Sequence, residues 1–191
     1  GTDMAQEGHR GVMERLLASA DAGINATDLD GRTALMLVAL QGRQDLVALL
    51  AINGADVHAV MQGGWSAITF AAHFGRAEVV RWLVSAGMVD ARAALEDGRT
   101  VLMLAAAKGH MEVVRVLVEE GGAESKAALT DGWNAVMAAA ESGHKETVEY
   151  LVTQGGADAV AAMQDGRMAV MFAAWQGHLS VVQWLVTPGP P

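Results

Sequence analysis

The feature that most constrains this chain is a spacing. One glycine recurs as Gly8, Gly42, Gly75, Gly109, Gly143 and Gly177, and another as Gly31, Gly64, Gly98, Gly132 and Gly166. Consecutive members of each series lie 33 or 34 residues apart. Two markers with one period over the 191 residues define a repeat. A unit of that size cannot bury its own apolar faces, so stacking of neighbours has to do it.

Each unit reads as helix, turn, helix, loop. In "RTVLMLAAAKG" the run from Val101 to Ala107 is apolar nearly all round. Such a helix has to be covered on both sides, here by the units before and after it. Gly109 then closes it, as a glycine past a helix end does. The next segment, "HMEVVRVLVEEG", is amphipathic. Val113, Val114, Leu117 and Val118 form its apolar stripe. Glu112, Arg115 and Glu119 lie three and four apart on the wet face, spaced to pair with one another. The "GG" ends the helix, and the "DG" that follows is a tight turn in which glycine supplies a positive φ. The chain is thus expected to be an all-α solenoid of about six stacked helix pairs. A partial unit spans 1–29 and full units span 30–62, 63–96, 97–130 and 131–164. A last helix pair and tail occupy 165–191. No linker or second domain is visible.

The pattern D-G-x-T-x-L-x-x-A-A-x-x-G-H-x-x-V-V-x-x-L, well seen in "DGRTALMLVALQGRQDLVALLAINGADVHA", resembles the ankyrin repeat over essentially the whole chain. The resemblance implies paired helices joined by tight β-turn loops and, in most cases, a protein-interaction module. Three departures stand out. Ala34, Ala67, Val101, Ala135 and Ala169 replace the family's proline in its T-P-L-H segment. Met36, Thr69, Met103, Met137 and Met171 replace its histidine, so the usual threonine–histidine bond is lost in that form. Most loops carry one extra residue, as in "EEGGAES" and "TQGGADA".

Composition excludes several function classes. A net charge of −9 repels phosphate backbones, which argues against nucleic acid as partner. Between Glu119 and Asp165 nine carboxylates face only Lys126 and Lys145, a face that a basic partner could read. Cysteine is absent, which removes disulfides and thiolate metal sites and fits a reducing, cytoplasmic setting. No apolar run approaches the roughly 18 residues of a membrane span, and no signal-peptide pattern is present.

Catalytic and cofactor motifs are also missing. The chain has no P-loop, G-x-S-x-G, H-E-x-x-H or dinucleotide fingerprint. The H-x-E at His110 lacks the cysteine pair that a zinc deaminase needs. His9, His110, His144 and His178 share one place per unit, with Arg43 and Arg76 in the other two. Helices pack about 8–10 Å apart, so a one-per-unit ladder cannot share a metal held at about 2 Å. The family resemblance makes this histidine structural. No enzyme activity, cofactor or metal is expected.

Information for a partner should sit where the frame stays constant and the surface varies. Ala39, Ala72, Ala106, Ala140 and Ala174 never change, nor do Leu50, Leu83, Leu117, Leu151 and Leu185. The residue after the turn glycine instead runs Arg32, Trp65, Arg99, Trp133, Arg167. Near the end of the first helix come Leu40, His73, Ala107, Glu141, Trp175, and next to them Gln41, Phe74, Lys108, Ser142, Gln176. By resemblance these positions line a concave face. The candidate partner-binding residues are therefore Arg32, Trp65, His73, Phe74, Arg99, Lys108, Trp133, Glu141 and Trp175. Tryptophan and arginine are the side chains most enriched at binding hot spots. An alternative use of the Arg/Trp alternation is a cation–π stack between neighbouring units, which stabilises the scaffold and binds nothing. Trp82, Tyr150 and Trp184 interchange with Leu49 and Val116 and read as core filling.

The expected function is non-catalytic binding of a protein or peptide. Two alternatives remain open at this stage. One is a structural or regulatory segment of a larger multidomain protein; the other is an engineered ankyrin-type binder, against which the drift Thr33, Ser66, Thr100, Asn134, Met168 argues. The last pair keeps Val170, Phe172, Val181, Val182 and Trp184 without a polar outer face, whereas the first unit carries Arg10, Glu14 and Arg15. End-to-end self-association through the C-terminal pair is thus a further option.

Overall fold

A computed structural model describes residues 23–187. His9, Arg10, Glu14 and Arg15, nearly all of the partial unit 1–29 and the "PGPP" tail lie outside the described residues. Five helix pairs are described, where about six were expected over the full chain. They are α1 (Ala34–Gln41) and α2 (Gln44–Ile52), α3 (Ala67–His73) and α4 (Ala77–Ser85), α5 (Val101–Ala107) and α6 (Met111–Arg115, continued by a wider π turn over Val116–Glu120), α7 (Ala135–Glu141) and α8 (Lys145–Thr153), α9 (Ala169–Trp175) and α10 (Leu179–Val186).

Each first helix packs on its own second helix and on the first helix of the next unit, and second helices likewise follow one another. This is the stacking that the repeat demanded. The central first helices are buried all round: Val101–Ala106 and Ala135–Ala140 have no exposed residue. The small residues that recur there let backbones approach, and Leu50, Leu83, Leu117 and Leu151 fill the space beneath.

The helix starts explain why the frame drifts at one position without weakening. Thr33, Thr100 and Asn134 each accept the N–H three residues on, at 3.3, 3.2 and 3.0 Å. In the second unit the arrangement is reversed: Thr69 Oγ1 accepts the Ser66 N–H at 2.7 Å. Four different sequences thus satisfy an otherwise orphaned amide. Met168 has no oxygen to offer, and α9 starts without a side-chain cap.

In two of the units the extra loop residue is absorbed at the end of the second helix. In the unit 30–62 the Ala55 N–H reaches the Leu50 carbonyl, five residues back. In units 97–130 and 131–164 Ala123 and Ala157 reach Leu117 and Leu151, six residues back, and Gly121 and Gly155 close i→i+5 turns on Val116 and Tyr150, whereas unit 63–96 keeps a five-residue bond, Met88 N–H to the Leu83 carbonyl. A π turn takes up one residue without moving the helix that precedes it.

Of the expected stripe, Val113, Val114 and Leu117 are buried and Val118 is half-buried against the core, while Val116, outside that stripe, is buried as well. The pairing expected among Glu112, Arg115 and Glu119 is not observed, because neighbouring units offer closer partners. Glu112 pairs with Arg81 at 2.9 Å, Glu119 accepts from Tyr150 Oη at 2.8 Å, and Arg115 lies over the Tyr150 ring. Arg81 also holds Glu78 and Glu120, tying the second helices of two units together. Tyr150 is buried, with its hydroxyl pushed up to about 12 by burial and by the Glu119 bond. Trp82 and Trp184 pack against the core, as expected for that position.

Candidate functional site

The turns between units are short hairpins, each closed by one antiparallel bridge such as Ala94 with Thr100 or Ala128 with Asn134. Their glycines have φ between 81° and 95°, a left-handed conformation open to glycine at little cost. In "DGR" turns the aspartate does two things. Asp97 Oδ1 accepts the Arg99 N–H at 3.0 Å while Oδ2 takes the Arg99 Nε at 2.7 Å. Asp165 does the same for Arg167, at 3.1 and 2.7 Å. Arg32 is held by Asp28 at 2.9 Å and also by Asp30. The arginines therefore reach the surface already paired.

These contacts hold the carboxyls of Asp97 and Asp165 below the ordinary carboxylate range. At Asp165 the Arg167 N–H contributes most, then its guanidinium. At Asp97 partial burial opposes the shift and is outweighed by the Arg99 N–H and guanidinium together.

The tryptophan turns behave differently. Trp133 still donates its N–H to Asp131 Oδ1 at 3.0 Å. An indole cannot neutralise the other oxygen. The ring instead crosses to the next unit and meets Phe172 edge-on, with centroids 4.8 Å apart. Arg167 lies over the same Phe172 ring at 5.1 Å. The direct Arg-on-Trp stack expected from the sequence is thus replaced, among the described residues, by two neighbouring rungs that meet on a phenylalanine between them. Trp65 stays within its own unit, against Phe70 at 5.0 Å and His73 at 5.2 Å, and His73 in turn touches Phe74.

The sequence-selected residues fall into three groups. Arg32 and Trp65 line a groove of about 520 Å³ that also contains Asp30 and Phe70. His73 and Phe74 extend the aromatic run from Trp65, and exposed Lys108 adds its charge beside His73. Arg99, Trp133 and Glu141 line a second groove, of about 330 Å³, together with Asp131, Leu104 and Leu129. Trp175 stands apart. It is 83% exposed on the last described pair, where no further pair covers it, and none of these grooves includes it. Sequence reasoning missed Asp131, Phe70 and Phe172. The first could have been found by asking which "DG" turns lack an arginine.

The histidine ladder is an inter-unit strap. His110 Nε2 meets the His73 carbonyl at 3.0 Å and His178 Nε2 meets the Glu141 carbonyl at 2.9 Å. Arg76, at the same place, donates its Nε to the Leu40 carbonyl at 2.8 Å. The carbonyls that end one first helix are thus satisfied by the next unit. A Cβ on Gly75, Gly109 or Gly143 would stand 2.4–2.7 Å from the ring Nδ1 of the histidine that reaches over it. These glycines also have φ between 67° and 79°. Their conservation of type along the chain thus has two causes, conformation and space. Burial pushes the His73 imidazole down, helped by Lys108, His110 and Arg99. Burial does the same to His144, against the pull of its bond to the Ala107 carbonyl. Among the described residues no three His, Asp or Glu side chains gather as metal ligands would. No helix among them is long and apolar enough to cross a membrane.

Paired helices, one-bridge turns and a histidine or arginine that reaches back to the preceding unit define a helix-pair repeat protein. The ankyrin-repeat pattern, "Ankyrin repeats (3 copies)", matches residues 3–90, 35–129, 85–162 and 121–190, and the chain belongs to the ankyrin-repeat family. It is similar to the Notch-regulated ankyrin repeat-containing protein of Homo sapiens, 40% identical over 69 residues, and to that of Xenopus tropicalis, 32% identical over 69 residues. Each match takes in 36% of this chain and 60% of the relative's length.

Proposed function

We propose that the chain is a non-catalytic module that binds a protein or peptide on the concave face made by the turns and first helices. The observation that carries this reading is the contrast between frame and surface. Residues that hold units together repeat from unit to unit, while the face carries Arg32, Trp65, His73, Phe74, Arg99, Lys108, Trp133 and Glu141 in changing combinations. Two grooves on that face each pair an indole with polar side chains, the composition of a binding hot spot. Trp65 and Trp133 are the anchors, half-buried and held by ring contacts, so little side-chain entropy is lost on binding. Arg99 and Arg167 use Nε on their own aspartates, and their remaining guanidinium nitrogens are suited to carbonyl groups of a partner backbone. Ankyrin repeats act generally as protein-interaction modules, and no catalytic constellation competes for these residues. The whole unit 1–191 serves as one solenoid domain in this reading.

A pull-down with the full chain and its Trp65→Ala/Trp133→Ala double variant, compared by mass spectrometry, tests the reading. A specific partner should be lost from the double variant, which should still fold by far-ultraviolet circular dichroism although it loses the ring contacts of Trp65 and Trp133 and with them some thermal stability. Retention of every partner by the double variant would overturn it.

The last pair supports a second reading, end-to-end self-association. Met171, Trp175, Leu179 and Val186 are exposed there. A mass that stays monomeric by light scattering at high concentration would remove it.

A further inference from the structure

We propose that the groove between units 97–130 and 131–164 binds a lysine or arginine side chain, with Asp131 and Glu141 as its carboxylates and Trp133 as its platform. This rests on the protein-binding reading above and names what the partner must bring.

The charge balance points to a cation. Arg99 lines the groove, but Asp97 neutralises it at 2.7 Å. Asp131 and Glu141 line it too, and no Lys, Arg or His nitrogen among the described residues lies within ion-pair distance of either. Asp131 Oδ1 is occupied by the Trp133 N–H, which orients the carboxylate and leaves its second oxygen without the guanidinium that the "DGR" turns supply. Glu141 is anchored through its carbonyl, which His178 holds at 2.9 Å, so the end of α7 is fixed. The groove thus carries two carboxylates with no internal counterion among the described residues.

The shape fits the same ligand. Leu104 and Leu129 form an apolar wall, suited to the methylene stem that lysine and arginine bury. The Trp133 indole supplies a π face for the cationic head. A carboxylate ligand would meet two like charges, and an apolar side chain would leave both carboxylates unpaired under it.

The other groove is an internal control. There Gly63 stands where the other turns have aspartate, and Asp30 pairs with Arg32. It carries an indole but no open carboxylate, so it should not select for positive charge.

The test uses the ¹⁵N-labelled full chain and four capped tripeptides, Ac-Ala-X-Ala-NH2, with X as Arg, Lys, norleucine or Glu. Chemical shifts of the Trp133 indole and of the Asp131 and Glu141 amides should move saturably with the Arg or Lys peptide, and not with norleucine or Glu. The Trp65 indole should not distinguish Arg from norleucine. Asp131→Asn keeps an oxygen for the Trp133 N–H and so keeps the turn; Glu141→Gln is similarly isosteric. Each should weaken binding about tenfold, the loss of one charged hydrogen bond. No saturable shift with either basic peptide, equal shifts with norleucine, or unchanged binding by the Asp131→Asn/Glu141→Gln variant would overturn the inference. If that variant keeps full affinity for a partner that the Trp65→Ala/Trp133→Ala variant loses, the basic-group inference falls and the protein-binding reading stands.

Discussion

The two tryptophan grooves are built from equivalent turn positions and differ in where their charges end. Around Trp65 every charge has a partner: Arg32 is shared by Asp28 and Asp30, and Gly63 removes the acid of the next turn. Around Trp133 only the positive charge has one, because Asp97 takes Arg99 while Asp131 and Glu141 keep theirs. The indoles also serve different neighbours. Trp65 packs within its unit on Phe70 and His73, and Trp133 packs across the unit boundary on Phe172. One residue after the turn glycine therefore sets both the local electrostatics and the local cohesion of the stack. Arginine closes the turn carboxylate; tryptophan leaves it open and bridges to the next unit.

That comparison presupposes a rigid common frame, and the largest expected effects are on the frame. Leu117→Ala should lower unfolding free energy by about 2–5 kcal/mol in urea titrations, since the buried site between helices cannot collapse fully. A loss comparable to that of an exposed residue would mean that units are held by something other than packing. Gly109→Ala should cost more than about 1 kcal/mol. It places an L residue at φ 67° and a Cβ at 2.4 Å from the His144 ring. The same substitution at Gly177, φ 79° but with nothing within 4 Å, should cost less, which separates the steric part from the conformational one.

Acid should loosen the stack where His73 and His144 are buried. His73 and His144 have folded-state pKa values below 6.5, so the unfolded chain binds more protons as pH falls through that value. Their contribution is fully present above about pH 6.5 and is lost below it, as the folded-state values are passed. Thermal midpoints should drop between pH 7.5 and 5, and His144→Gln should flatten the drop. A profile flat to pH 5 would contradict the burial assigned to these rings. The smallest effect is expected at Ser125, whose hydroxyl is buried without a partner where other units have Val57, Ala91 and Ala159. Ser125→Ala should raise stability by about 1 kcal/mol or less.

Much of the frame was legible because it depends on spacing. The glycine series placed the helix ends and turns, and the all-apolar runs marked the helices that lie between units. The face was legible only as a set of varying positions. What those side chains do depends on contacts across a unit boundary, which one period of sequence does not contain. Trp133 meets Phe172, and Arg81 reaches Glu112 and Glu120 rather than only its own helix. Trp175 fell into the same list as Trp133 because it is equivalent to Glu141 in the repeat, yet it stands uncovered. The role of arginine after the turn glycine was missed for a different reason. Its partner is two residues back in the same "DGR", and only the folded turn, in which the aspartate also accepts the arginine N–H, brings the guanidinium back onto that carboxylate.

The most direct measurement is therefore the substitution that the repeat itself suggests. Trp133→Arg gives the fourth full unit the turn already present at Arg99 and Arg167, so it should fold. Its guanidinium should close Asp131. Titrated with Ac-Ala-Arg-Ala-NH2 and followed by chemical shifts at Asp131 and Glu141, the wild-type chain should saturate and the variant should not, with far-ultraviolet circular dichroism unchanged. A variant that folds and binds the peptide as the wild type does would contradict the claim that the residue after the turn glycine decides what this face recognises.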